Sequence, residues 1–405
     1  MTMPVKWFSS EMEGAPNMGQ DVAVNKLIPV LRAFLVDGFG SRAVASATYA
    51  NGEITFTFSA AHKYLVDSVV LASGANEAQY NGEFRVKSVT TTTVVCATDN
   101  GTPVANSATG TLAMKVPSLG WQVLAEDTVN NRIIFASTDP AANGLALLVD
   151  NGAWTDNGAW NSNQTSGQYG IRAKVTVVSN VVDINTYTVE IGPYPWPASH
   201  KFADSAWYAI GDSRLFHFLP KFMAWNWRGW FTFGDGVSVR PGDKFMTMLT
   251  TLNGWGSSGT DSRWNSTSSG YGRYNDVMKM DTTSNKYMAR AYHQLPGPVG
   301  FRMVGTSLTT KMGGGLPFPN PSDNGFYVQA EPPMVFAGDI DFRGYMPGVR
   351  NPLATNTGLD KAILKNLPNI PGRSLLCLLA ANDSYPSASP AINAIMCFDI
   401  SGPWR

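Results

Sequence analysis

The sequence predicts an all-β protein: a β-sandwich-like main body, an inserted small β-barrel and one short N-terminal helix. Three observations predict it. Short segments alternating apolar and polar residues recur along the chain, each bounded by Gly, Asn, Asp or Pro. Only one stretch near the N-terminus has clear helical spacing. The 405 residues are also charge-poor, with 15% charged residues, 11% aromatic residues and 30 Lys plus Arg balancing 30 Asp plus Glu. Average soluble domains carry about a quarter charged residues. So few charges on so large a chain fit a surface built largely for contact.

Residues 1–41 read as an N-terminal arm. In QDVAVNKLIPVLRAFLVD, Leu27, Leu31, Phe34 and Leu35 form one apolar stripe, with Asn25 as a cap and Pro29 tolerable in the first turn. Arg32 and Asp37 face outward, and Gly38 and Gly40 stop the helix. Trp7, Phe8, Leu27, Leu31 and Phe34 are the candidate assembly residues, because an amphipathic helix can dock in a groove on a neighbour. The alternative is that the same helix covers one end of its own sandwich.

Residues 42–118 read as the inserted barrel. VASATYANGEITFTF is a hairpin hinged on Asn51-Gly52. DSVVLASG, a second NG turn at Asn81-Gly82, EFRVKSV, TVVCAT and TGTLAMKV supply further strands. As an inserted module it is expected to be dispensable: deleting about 42–118 and joining Ser41 to Leu119 or Gly120 should leave the body folded.

Residues 119–405 read as the sandwich. WQVLAEDT, NRIIFAST, GLALLVDNG, IRAKVTVVS, TYTVEIG, WYAIGDSRLFHFL, WRGWFTFGDG, DKFMTMLTTL, RSLLCLLAA and AIMCFDIS are strand-length segments. The polar stretches 151–170 and 253–286 are loops, and Leu359–Leu367 is a candidate second helix. Cys96, Cys377 and Cys397 form no metal pattern. Buried apolar cysteines are the expected state, with a Cys377–Cys397 disulfide as the alternative.

No motif assigns a catalytic centre, and no cofactor is expected. GWGSSG at 254–259 matches GxGxxG but runs on into polar, glycine-rich sequence, not a helix. Gly211-Asp212-Ser213 has the form of an esterase block, yet no His has Asp three residues before it, and Ser213 is expected to cap a strand turn. Asp339 and Asp341 share one strand face, and paired carboxylates can hydrolyse glycosides; two solvated strand residues are the simpler reading. The balanced charge gives no footprint for nucleic acid. The N-terminus has no leader-like apolar segment, and no stretch is long enough for membrane insertion. Aromatics are more informative. Trp207, Trp227 and Trp230 are expected in the core. Trp154, Trp160, Trp255 and Trp264, set in polar loops, are candidates for stacking on a host surface glycan or anchoring a partner.

Several blocks together resemble a family of tailed-bacteriophage virion proteins encoded among tail or baseplate genes. They are GFGSR, WYAIGDSRLFHF (207–218), FTFGDGVSVRPGDKF (231–245), ARAYHQ (289–294), PFPNPSDNGFYV (317–328), DFRGYMPGVRNPL (341–353), LPNIPGRSLL (367–376) and FDISGPWR (398–405). The blocks span most of the chain except 42–118. The resemblance implies a non-enzymatic structural protein located in the virion, a homo-oligomer (ring or trimer) that assembles with other phage tail proteins. A receptor-binding module gripping surface glycan is the alternative.

Overall fold

The computed structural model describes residues 3–18, 26–98, 101–152, 172–198, 206–221, 228–251, 286–291, 294–303, 320–329, 331, 333–336, 342–353, 358–380 and 394–405. Among them the strands form four antiparallel sheets, and the fold is all-β with a single short α-helix. β1 (Lys6–Ser9) precedes α1 (Leu27–Arg32), whose end widens into a π-helical turn over Ala33–Asp37. A seven-stranded sheet follows: β2 (Phe39–Ala43), β3 (Ser46–Ala50), β4 (Glu53–Thr57), β5 (Val69–Ala75), β6 (Gly82–Val89), β7 (Thr93–Ala97) and β8 (Gly110–Val116). Next come β9 (Gln122–Asp127), β10 (Arg132–Ala136), β11 (Ala146–Asp150), β12 (Arg172–Ser179) and β13 (Thr188–Pro197), a five-stranded meander.

The largest sheet has ten strands. They are β1 with β14 (Trp207–Gly211), β15 (Leu215–Pro220), β16 (Phe231–Asp235), β17 (Val237–Ser238), β18 (Thr247–Thr250), β19 (Lys286–Met288), β20 (Val299–Met303), β21 (Pro333–Phe336) and β22 (Phe342–Tyr345). A four-stranded sheet closes the chain: β23 (Val349–Arg350), β24 (Ile363–Leu367), β25 (Ile370–Ala380) and β26 (Ala394–Asp399).

The body is a sandwich with a third layer, and the ten-stranded sheet is its centre. On β15, Phe216 and Phe218 point one way, toward Phe34, Trp121 and Trp196. His217 points the other way, toward Phe398 and Trp404. This period of two is why WYAIGDSRLFHF is apolar almost throughout: a strand covered on both faces cannot alternate with solvent. The outer sheets follow the same rule. Ile133, Phe135, Leu147 and Val149 join the main core, while Ile134, Ala136, Ala146 and Leu148 form a small core on the opposite face. In the four-stranded sheet Leu376, Leu378, Met396 and Phe398 face inward, and Leu375, Cys377, Ile395 and Cys397 pack outward under Phe326 and Val328.

Several expectations are corrected. WYAIGDSRLFHFL is not one strand but the hairpin β14–β15, because Asp212 accepts the Arg214 and Leu215 amides at 2.8 Å each and fixes a turn. Leu359–Leu367 is not a helix. Its second half is β24, paired with β25; Asn366 at φ 54 sits at a register shift in that ladder, and the chain reverses at 368–369. β2, which starts at Phe39, pairs with β8 and so belongs to the seven-stranded sheet. The order of that sheet runs from β2 to β3 without a ladder joining those ends, so the expected closed barrel is not formed. β3 is instead tied to 106–108 by Tyr49 N to Asn106 O and Ala108 N to Ala47 O, both 2.9 Å, just before β8 begins at Gly110, which has φ 106. The Asn51-Gly52 hairpin is as expected, with both residues at positive φ, 52 and 81.

Trp7, Phe8, Leu27, Leu31 and Phe34 do not form an exposed assembly face. They lie within the protein's own core at 5% exposure or less, so helix α1 covers its own sheets. Phe8 and Phe34 rings meet at 5.7 Å, and Phe34 packs on Phe216 at 5.5 Å. The glycines after the helix are a tight joint. Gly38 and Gly40 have φ of 69 and 67, and side chains there would meet the Val116 and Glu13 carbonyl oxygens.

β1 locks module to body. Its backbone pairs with β14, from Lys6 opposite Gly211 to Ser9 opposite Tyr208. Its side chains reach the module: Lys6 Nζ donates to Glu83 Oε1 at 2.6 Å and to the Ser118 carbonyl at 2.5 Å, and Trp7 Nε1 donates to Asp67 O at 2.9 Å. Burial holds the Lys6 ammonium below its usual range, against the opposing pull of Glu83. Deleting 42–118 therefore removes the partners of a buried cation and indole. The expected outcome is a marked fall in melting temperature or loss of a cooperative melt, contrary to the independent-module expectation; an unchanged melt would show that the body stands alone. Glu83→Gln is expected to destabilise by about 3 kcal/mol in urea unfolding, since breaking one partner of a buried pair leaves the other charge uncompensated. The double change Lys6→Met with Glu83→Leu should recover much of that loss.

Candidate functional site

The polar residues with the most built environments lie in the buried turns and strand ends of the ten-stranded sheet, and most belong to the blocks 207–218, 231–245, 341–353 and 398–405. Each is there because a charge inside an apolar strand run must find a partner or a hydrogen bond.

One cluster gathers where β14–β15 turns beside β16. Arg405 Nε pairs with Asp212 Oδ2 at 3.2 Å, and its Nη1 donates to the Asp235 carbonyl at 3.0 Å. Arg214 Nε lies 3.5 Å from Asp235 Oδ2. The Asp235 carboxylate also accepts from the Asn143 amide at 2.8 Å and the Thr247 hydroxyl at 2.7 Å. Burial pushes the Asp235 carboxyl up from the usual range, and these donors only partly oppose it. The Ser213 hydroxyl donates to Asp139 Oδ2 at 2.7 Å, so the esterase-like block builds a turn. Its Asp212 caps the turn and its Ser213 reaches across to the loop after β10.

A second chain of charges joins the sheets. Arg343 on β22 grips Asp243 with two hydrogen bonds of 2.8 and 2.9 Å and also donates to the Arg290 carbonyl. Arg290 in turn grips Glu190 on β13 at 2.6 and 2.8 Å, and lies 4.1 Å over the Phe245 ring. Burial pushes Asp243 up, but the Arg343 guanidinium outweighs it and holds the carboxyl below its usual value. Glu190 is likewise lowered, with Arg290 and Ser179 overcoming its burial. Forked Arg–carboxylate pairs fix orientation as well as charge, so this chain sets the five-stranded sheet against the central one.

His217 sits between the central and four-stranded sheets. Nε2 lies 3.1 Å from the Pro347 carbonyl, which can only accept, so Nε2 carries the proton; Nδ1 is then an acceptor, 2.8 Å from the Thr232 hydroxyl and 3.2 Å from Trp230 Nε1. Burial lowers its pKa to about 3. Both ring nitrogens are committed.

The expected contact residues fall in two groups. The five N-terminal ones are core, as described. Trp154, Trp160, Trp255 and Trp264 lie outside the described residues, as do Trp227, His200, His293, Asp339, Asp341 and the GWGSSG stretch. Trp207 and Trp230 are buried as expected. Among the described residues no group of His, Cys, Asp or Glu is placed to hold a metal ion, and no helix is long and apolar enough to cross a membrane. Cys377 and Cys397 are buried thiols. No protein-family model matches the chain, and neither does any curated protein. Sequence reasoning missed Glu190, Asp243, Arg343 and Arg405. Their signal was a charge flanked by apolar or aromatic residues, as in DFRGY and GPWR.

His217 gives a pH dependence of known sign. With a folded pKa of about 3 against about 6.5 unfolded, it takes up a proton in the unfolded chain first. Its contribution is fully present above about pH 6.5 and is lost as pH falls toward 3, at up to about 1.4 kcal/mol per pH unit. His217→Gln, which keeps one donor and one acceptor, is expected to flatten the unfolding free energy by that slope between pH 6 and 4. Identical slopes in both proteins would contradict the neutral buried imidazole.

Proposed function

We propose that the chain is a structural component of a tailed-bacteriophage virion, at the tail tip, baseplate or neck, assembled as a ring or trimer with itself and with other virion proteins. The observation that carries the reading is where the family-like sequence blocks place their charges. Asp212, Arg214, Asp235, Asp243, Arg343 and Arg405 are paired within the protein, where they brace the turns and strands of the ten-stranded sheet and, through Arg405, hold the end of the chain against it. Spending scarce charge on internal geometry suits a rigid building block whose symmetry repeats each contact. The balanced composition, 30 basic against 30 acidic residues, suits a subunit that must pack beside copies of itself without repulsion.

Mass spectrometry of purified particles, with light scattering of the isolated protein after size exclusion, tests this. The expected result is the chain in the particle at a fixed ratio to known tail proteins, and a trimer or larger closed oligomer in solution. Particles that lack the chain would end the proposal.

A further inference from the structure

The four-stranded sheet places two thiols directly opposite one another. Cys377 on β25 and Cys397 on β26 are register partners, and their Sγ atoms are 2.9 Å apart. The pair occupies one of the two kinds of antiparallel position. Cys377 directs its amide to the Ala362 carbonyl and accepts from the Lys361 amide through its own carbonyl, at 2.8 and 2.7 Å. Both backbone groups therefore point away from β26, which makes Cys377–Cys397 a non-hydrogen-bonded pair, the closer kind, with Cα atoms about 4.5 Å apart. That spacing lies inside the range a disulfide spans, about 4.4 to 6.8 Å. The sulfurs need to approach by about 0.9 Å to reach bonding distance. Around them Leu375, Ile395, Phe326 and Val328 pack as one buried apolar cluster.

We propose that Cys377 and Cys397 are a disulfide-forming site, oxidised in the folded protein by exchange with a small disulfide such as oxidised glutathione. One cysteine thiolate attacks the glutathione disulfide, forming a mixed disulfide and releasing one glutathione thiolate. The second cysteine thiolate then attacks the protein-side sulfur and releases the other. In sum, two protein thiols become one S–S bond, the glutathione disulfide is reduced to two thiols, and the two cysteine protons pass to the leaving thiolates. The bond would fix the β25–β26 register. β26 leads into the segment whose Arg405 pairs with Asp212, so the staple would hold the strand that carries that anchor.

Burial pushes the Cys397 thiol well up, with Cys377 adding to it, so exchange is expected to be slow and to need mildly alkaline buffer. The test incubates the purified full chain with oxidised glutathione at pH 8.5 for days, then counts thiols in denaturant and maps peptides by mass spectrometry. Two of the three thiols should disappear together, with a mass loss of about 2 Da and a 377–397 cross-linked peptide. Cys96, in the seven-stranded sheet, should stay a thiol. Cys96→Ala should give the same cross-link, and dithiothreitol should reverse it. Three thiols remaining after the full incubation, or a stable glutathione adduct on one cysteine, would overturn the proposal without any Cys377 or Cys397 variant having to fold.

Discussion

Everything in this fold hangs on a strand of four residues. β1 supplies the last ladder of the ten-stranded sheet with its backbone and the floor of the seven-stranded sheet with its side chains. Those two jobs are inseparable: the strand cannot leave β14 without withdrawing Lys6 from Glu83 and Trp7 from Asp67. A sheet edge is also where an open row of backbone groups would recruit another chain, and β1 covers the β14 edge from within. The aromatic contacts of Phe8 with Phe34 and Phe39 extend the same join into helix α1 and the first strand of the module.

The next layer of order comes from the scarcity of charge. A chain with few ionisable residues still buries Lys6, Asp235, Lys286, Arg343 and Asp399. Such groups are costly inside unless paired and hydrogen-bonded, and those with described partners are held at the turns and strand ends of the sheets and at the joins between them. Asp212–Arg405 ties the β14–β15 turn to the chain's last residue, and Arg214–Asp235 ties the same turn to β16. Glu190–Arg290 ties the five-stranded sheet to the central one, and Asp243–Arg343 braces the central sheet behind it. Hydrophobic burial gives these layers their stability. The polar pairs give them one relative placement, a requirement for any subunit that repeats in a lattice or ring.

The sequence made some of this plain and hid the rest for physical reasons. The Asn51-Gly52 hairpin and most strand segments were legible because turn chemistry and period two are local. The helix was legible as an apolar stripe, but which surface the stripe meets is a tertiary matter, and an amphipathic helix looks alike against its own sheet or a neighbour's. Leu359–Leu367 misled because ILKNL spaces its apolar residues ambiguously over so short a run; pairing with β25 decided it. WYAIGDSRLFHFL reads as one strand-length run because both its halves are buried on both faces, and only the turn chemistry around Asp212 and Ser213 marks the reversal. The long-range charge pairs, separated by about 100 positions in Asp243–Arg343, have no local signature beyond a charge set among apolar residues.

The central claim is that arm, module and body form one cooperative unit joined at β1. Native-state hydrogen exchange measures this directly, by comparing backbone amides of β5 and β6 in the module with those of β14 and β15 in the body. The account predicts that both sets open with the same free energy and the same denaturant dependence, because neither sheet can unfold without exposing Lys6 and Trp7. Module amides that exchange through a separate, lower-energy opening while β14 and β15 stay protected would contradict it.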